Sequence, residues 1–212
     1  MNRILTIVGL LLFVCGSAPA KPLGNWSVSG YGIYSIPTGN LADWFQPSPN
    51  FGLTLGQKTT EKWTMEGVAE YSSYDRENLE GYPKDKLELK LTHWMVGLQG
   101  KYELAQWSSI TPYYLLGGGV YNWEGIRGDI EADSTIDLLF IAERRLQETN
   151  WGAYTGLGVE WAMTPTLSIE AHGRYRFVVG DLWPTMQPHI ELEGVSGFQT
   201  LNVGISLRYY LK

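Results

Sequence analysis

The chain is nearly without cysteine. Cys15 is the only one in 212 residues. It lies in an N-terminal stretch that reads as an export signal, so the mature chain would carry no disulfide and no thiol chemistry. Histidine is also scarce, at positions 93, 172 and 189, which leaves little capacity for a metal site. No run reaches 18 apolar residues, which excludes a transmembrane helix. Positive charge is short as well, with 16 Lys plus Arg against 22 Asp plus Glu. A net charge of −6 argues against a nucleic-acid partner. Aromatics and glycine are plentiful instead, with nine Trp, thirteen Tyr and 25 Gly.

Residues 1–20 have the form of a signal peptide. Arg3 supplies the positive start, Ile4 to Val14 the apolar stretch, and Ala18-Pro19-Ala20 the small residues of a cleavage site. Lys21-Pro22 ends any helix there. Residues 21–212 then form a single domain.

The last residues show the strand pattern most clearly. Leu201, Val203, Ile205, Leu207, Tyr209 and Leu211 alternate with Asn202, Gly204, Ser206, Arg208 and Tyr210. A period of two is a strand with one apolar face. Eight such segments are predicted, at 25–36, 49–58, 62–74, 89–102, 109–122, 151–162, 166–178 and 198–211. The gaps after the even segments are short. Those after the odd segments are long, at 37–48, 75–88, 123–150 and 179–197. This alternation predicts an all-β, eight-stranded antiparallel up-and-down transmembrane β-barrel. Bacterial outer-membrane barrels keep short turns in the periplasm and long loops outside. Both termini are therefore expected in the periplasm and the long loops outside the cell.

The inward face is expected to be charged. Ser168, Glu170, His172, Arg174 and Arg176 share one face of the seventh strand, opposite Leu167, Ile169, Tyr175 and Phe177. Glu66 and Glu70 share a face of the third, His93, Gln99 and Lys101 of the fourth, and Tyr154 and Glu160 of the sixth. The inventory is Glu66, Glu70, Glu160 and Glu170 against Lys101, Arg174, Arg176 and Arg208, with His93 and His172 beside them. Unpaired charge is very costly in a low-dielectric interior. A balanced set in a barrel of this size predicts a side-chain plug, with a narrow conducting path as the alternative. Trp26, Trp63, Tyr102, Trp107, Trp161 and Tyr209 would line one rim, and Tyr34, Tyr71, Trp151 and Phe177 the other.

Three stretches resemble the small outer-membrane β-barrel superfamily of the OmpA transmembrane domain and the OmpX-like and OmpW-like proteins. They are YGIYSIPTGN (31–40), PYYLLGGGVY (112–121) and NVGISLRY (202–209). The last is similar to the terminal signal read by the barrel-assembly machinery, with Asn202, Gly204, Leu207 and Tyr209 in the recurring places. The ending Leu211-Lys212 departs from the family's usual terminal aromatic. The resemblance implies architecture and location in the outer membrane. It also implies lipid and lipopolysaccharide as surroundings, and assembly machinery as a partner during biogenesis.

No enzyme is expected. Lipid A deacylases of this architecture carry a Ser two residues after the catalytic His, and here that position is Arg174, with Ser168 roughly 13 Å from His172 along the strand. His189 with Glu191 and Glu193, and the acidic group Asp129, Glu131, Asp133 and Asp137, read as solvated loop; neither has the spacing of a metal loop. No cofactor is expected. The leading reading is a monomeric, non-enzymatic barrel with a structural, surface-contact or porin-like role, the last including passage of a small apolar solute. Trp44, Phe45, Phe140 and Trp183 are the loop residues offered for contact, and the run 136–141, IDLLFI, is too apolar for a purely solvated loop. The alternatives are a secreted soluble barrel for a hydrophobic ligand and, lower, a lipid A-modifying enzyme.

Overall fold

The computed structural model describes residues 26–75, 89–128, 130–133, 138–141, 143–182 and 195–211. The proposed signal segment 1–20, with Cys15, lies outside them, as do Trp183, His189, Glu191 and Glu193. Of the acidic loop group, Asp129 and Asp137 lie outside, and Glu131 and Asp133 are described only as backbone.

Eight long strands close one sheet. They are β1 (Trp26–Thr38), β2 (Ser48–Lys58), β3 (Trp63–Tyr74), β4 (Leu89–Glu103), β5 (Ile110–Arg127), β8 (Arg144–Ala162), β9 (Leu167–Leu182) and β10 (Val195–Leu211). Two short strands, β6 (Ile130–Asp133) and β7 (Leu138–Ile141), make a separate ribbon between β5 and β8. Each long strand pairs with its chain neighbours, and β1 closes on β10 from Trp26↔Leu211 to Thr38↔Gln199. Closure leaves no free edge around the spanning wall, which is what hydrocarbon demands of backbone N–H and C=O groups.

The strands are longer than the alternation predicts, chiefly at the loop end. The β5–β8 ladder continues through Asn122↔Thr149 to Arg127↔Arg144, within the stretch 123–150 expected as loop. The tail of IDLLFI is strand β7, paired with β6 from Ile130↔Ile141 to Asp133↔Leu138. Thr, Trp, Ile and Arg side chains tolerate an extended backbone when a partner strand supplies the hydrogen bonds, so pairing overrides the polar composition.

The opposite end is held by three tight turns. Thr59 N–H bonds Trp63 O at 2.9 Å, Trp107 and Ile110 exchange bonds at 2.8 and 2.9 Å, and Met163 N–H bonds Leu167 O at 3.0 Å. Ser108 takes a left-handed φ of 52° to close the second. The outer wall is apolar: Leu53, Val96, Leu98, Leu157 and Ile205 all project outward. Trp63 packs on Tyr102 at 5.0 Å near the turn end, and Tyr71 on Trp94 at 4.6 Å nearer the loops.

Candidate functional site: the filled lumen

Alternation sends every second side chain inward, so the functional candidates meet in the lumen. There the charges fall into two layers. Nearer the turns, Glu66 of β3, Lys101 of β4, Glu160 of β8, Glu170 of β9 and Arg208 of β10 form one network. Lys101 Nζ bonds Glu160 Oε2 at 2.7 Å and also pairs with Glu170. Arg208 bridges Glu170 at 2.7 Å and Glu66 at 2.6 Å. Neutral donors add to these: Tyr210 donates to Glu160, Gln99 to Glu66, and Ser206 Oγ to Glu170 at 2.9 Å.

Further toward the loops, Glu70 alone faces Arg174 and Arg176 and pairs with both. Tyr31 donates to Glu70 at 3.0 Å, and Arg176 meets His93 Nε2 at 3.2 Å. Gln99 and Tyr154 link the layers, since Tyr154 donates to Gln99 at 3.0 Å. All eight charged side chains are buried. The even balance read from the sequence is thus divided unevenly: three carboxylates with two cations near the turns, one carboxylate with two cations above. Between them lies a cavity of about 20 Å³ bordered by Ser29, Glu66, Glu170, His172, Arg174 and Arg208. That is room for about one water.

The lumen rings need space that the wall provides as glycine. Tyr31 is paired with Gly52, Tyr113 with Gly158, Tyr154 with Gly117, and His172 with Gly204. A Cβ on Gly204 would meet the His172 ring at 2.9 Å, and one on Gly117 would come closer still to the Tyr154 ring. Each ring therefore lies flat over a bare stretch of backbone, a cross-strand pairing of aromatic with glycine that, for the tyrosines, carries the hydroxyl inward to the polar network.

Above the Glu70 layer an apolar cluster occupies the lumen, with Asn50 and Arg127 buried beside it. Leu89, Leu91, Met95, Tyr121, Trp123 and Phe198 are buried there. The loop after β1 folds into this core: Gly39 takes φ 59°, Gly39–Asp43 makes a 3-10 turn, and Leu41, Trp44 and Phe45 are buried. Phe45 is 1 % exposed and its ring stands 6.1 Å from Tyr74. The expectation that Trp44 and Phe45 are free for surface contact is corrected here. They fill the mouth because an apolar loop beside an apolar chamber gains more by burial than by exposure. The sequence already carried the signal in β4, whose inward places run Leu89, Leu91, His93, Met95, then Gln99, Lys101 and Glu103.

The terminal residues split between the two faces. Asn202 and Gly204 are inward, Asn202 accepting from Ser35 and donating to Thr200 at 3.1 Å. Leu207 and Tyr209 are outward. Among the described residues no group of three or more potential metal ligands occurs.

A family profile described as "Outer membrane protein beta-barrel domain" matches residues 6–209. Among solved structures, Neisserial surface protein A superposes with a TM-score of 0.53 at 15% identity, over 88% of this chain and 97% of that one. OprG from Pseudomonas aeruginosa gives 0.50 at 14%, over 92% and 99%. A major outer membrane protein from Thermus thermophilus gives 0.54 at 10%, over 88% and 99%. At such identities these likenesses speak for the fold. No curated protein sequence matches the chain. The eight-stranded closed wall, its apolar exterior and the profile match agree: the chain belongs to the outer membrane protein β-barrel family and is a protein of the outer membrane.

Proposed function

We propose that the protein is a closed, non-conducting and non-enzymatic barrel, a monomer that anchors its long loops at the cell surface. The observation that carries this reading is the lumen itself. Two ion-paired layers and an apolar cap fill it, and the space between the layers is about 20 Å³. A hydrated ion needs a continuous water path, and a single-water cavity is not one.

The short turns and both chain ends would face the periplasm, and the long β5–β8 hairpin with its β6–β7 ribbon would face outward, in keeping with barrels of this kind. Lipopolysaccharide would surround the loop-end rim. Asn202, Gly204, Leu207 and Tyr209 would serve the assembly machinery while β10 is still unpaired. The non-enzymatic reading is supported by His172. Its ring lies over Gly204 and edge-on to Tyr31 at 6.0 Å, and the next inward residue, Arg174, is committed to Glu70.

Passage of a small apolar solute is the second reading, favoured by the apolar chamber of Leu91, Met95 and Trp123. Such a solute would have to displace Leu41 and Phe45 and leave through the wall, because the Glu70 layer closes the chamber's floor.

Single-channel recording of refolded protein in planar bilayers tests the proposal, with a heat-modifiable gel shift to verify folding. The expected record is flat at all applied voltages. Steady, reproducible openings would overturn the closed reading.

A further inference from the structure

The outer wall is not evenly bulky. Over β8, β9 and β10 a shallow trough of about 660 Å³ is cut into the lipid-facing surface. Its bed is Ala171 and Gly173, the outward residues of β9. Leu157 and Val159 of β8 rise on one side and Val203 and Ile205 of β10 on the other. The trough is two strand spacings wide, ~10 Å. It starts at Leu104 and Pro112 near the turns and is lined almost wholly by apolar atoms.

The wall is also thin here. Inward of the trough, Gly158 and Gly204 carry no side chain. Tyr113 and His172 border both the trough and the inner cavity, which itself touches Glu170 and Arg208. Strand backbone and one layer of rings thus separate hydrocarbon from the ion-paired network.

We propose that one phospholipid acyl chain lies in this trough and completes the wall. Only acyl tails are available at the depth of the apolar belt, and water does not fill a dry apolar recess. A tail pressed between Leu157 and Val203 makes dispersion contacts on three sides, where a tail on the convex wall makes them on one. It also keeps water away from the ring layer over Glu170. The inference rests on membrane embedding alone and holds whether or not the barrel conducts.

The test is to fill the trough. A Cβ on Gly173 would have its nearest neighbour, Asn202 O, at 4.0 Å, so Gly173→Leu starts from open space at its Cβ. Gly67→Leu on β3 is the matched control, with Leu55 O at 3.9 Å from its Cβ. Full-length proteins are extracted from native membranes in mild detergent, checked by heat-modifiable shift, and weighed by native mass spectrometry. Wild type and Gly67→Leu are expected to keep one phospholipid; Gly173→Leu is expected to lose it. On the wild type, a phospholipid with a diazirine in its acyl chain is expected to label β8–β10 over β2–β3. Equal retention in all three proteins, or labelling spread evenly around the barrel, would overturn the proposal. So would a dimer mass that vanishes in Gly173→Leu, because the trough would then be a contact between copies.

Discussion

The two halves of the lumen solve the same problem differently. Near the turns, five charged groups from five strands interlock, and Tyr210, Gln99 and Ser206 supply hydrogen bonds to the carboxylates. Near the loops, a single carboxylate holds two arginines beneath a hydrophobic cap. The turn-end network spreads its charge over many partners, so no one residue is indispensable. The loop-end layer turns on Glu70. Redundancy therefore belongs to the first, and a single point of failure to the second.

That contrast is broken most severely at Glu70. Glu70→Ala leaves two buried guanidinium groups without their carboxylate and should cost about 3–5 kcal/mol, as for removal of one partner from a buried ion pair. Lys101→Met should cost less, because Arg208 still serves Glu170 and Tyr210 still serves Glu160. Urea titration in lipid vesicles, followed by tryptophan fluorescence, measures both. The reverse order would show that the loop-end layer is the redundant one. The sharpening variant joins Glu70→Leu with Arg174→Met and Arg176→Met. It should regain most of the loss, since apolar residues already surround that layer above.

The cap comes next. Phe45→Ala removes a ring buried against Tyr74 and should cost about 3 kcal/mol by the cavity rule. Proteolysis of the loop after β1 should quicken in parallel. If stability and protease resistance were both unchanged, the loop would be a cover without energetic weight.

The smallest effect is expected at the turn end. Tyr210→Phe deletes one donor to Glu160 while Lys101 remains, and the loss should be about 1.5 kcal/mol, the low end for a hydrogen bond to a charged group. Equilibrium unfolding in the same vesicles reads it. A loss as large as that of Glu70→Ala would remove the case for redundancy.

Much of this architecture was legible beforehand. The period-two alternation in 201–211 and 167–177 assigned each side chain to a face, and the short and long gaps ordered the strands. The lumen inventory from Glu66 to Arg208 followed from parity alone. What parity lacks is height. It could not tell that Glu70 sits apart from Glu66, four residues on along the same strand, with different partners. Nor could it see Leu41, Trp44 and Phe45 turning inward, because loop residues carry no periodicity.

The sequence by itself thus determined the wall: strand number, facing and the eight central inward charges, all local consequences of alternation and turn placement, though not Glu103 and Arg127, which are also buried at the strand ends. Only the tertiary structure decided the pairings within the lumen, the glycines that seat the rings, the loop that caps the mouth and the trough over Gly173. Those depend on register between strands far apart in the chain. A shift of two residues would keep every side chain on its face and still give each carboxylate a different partner.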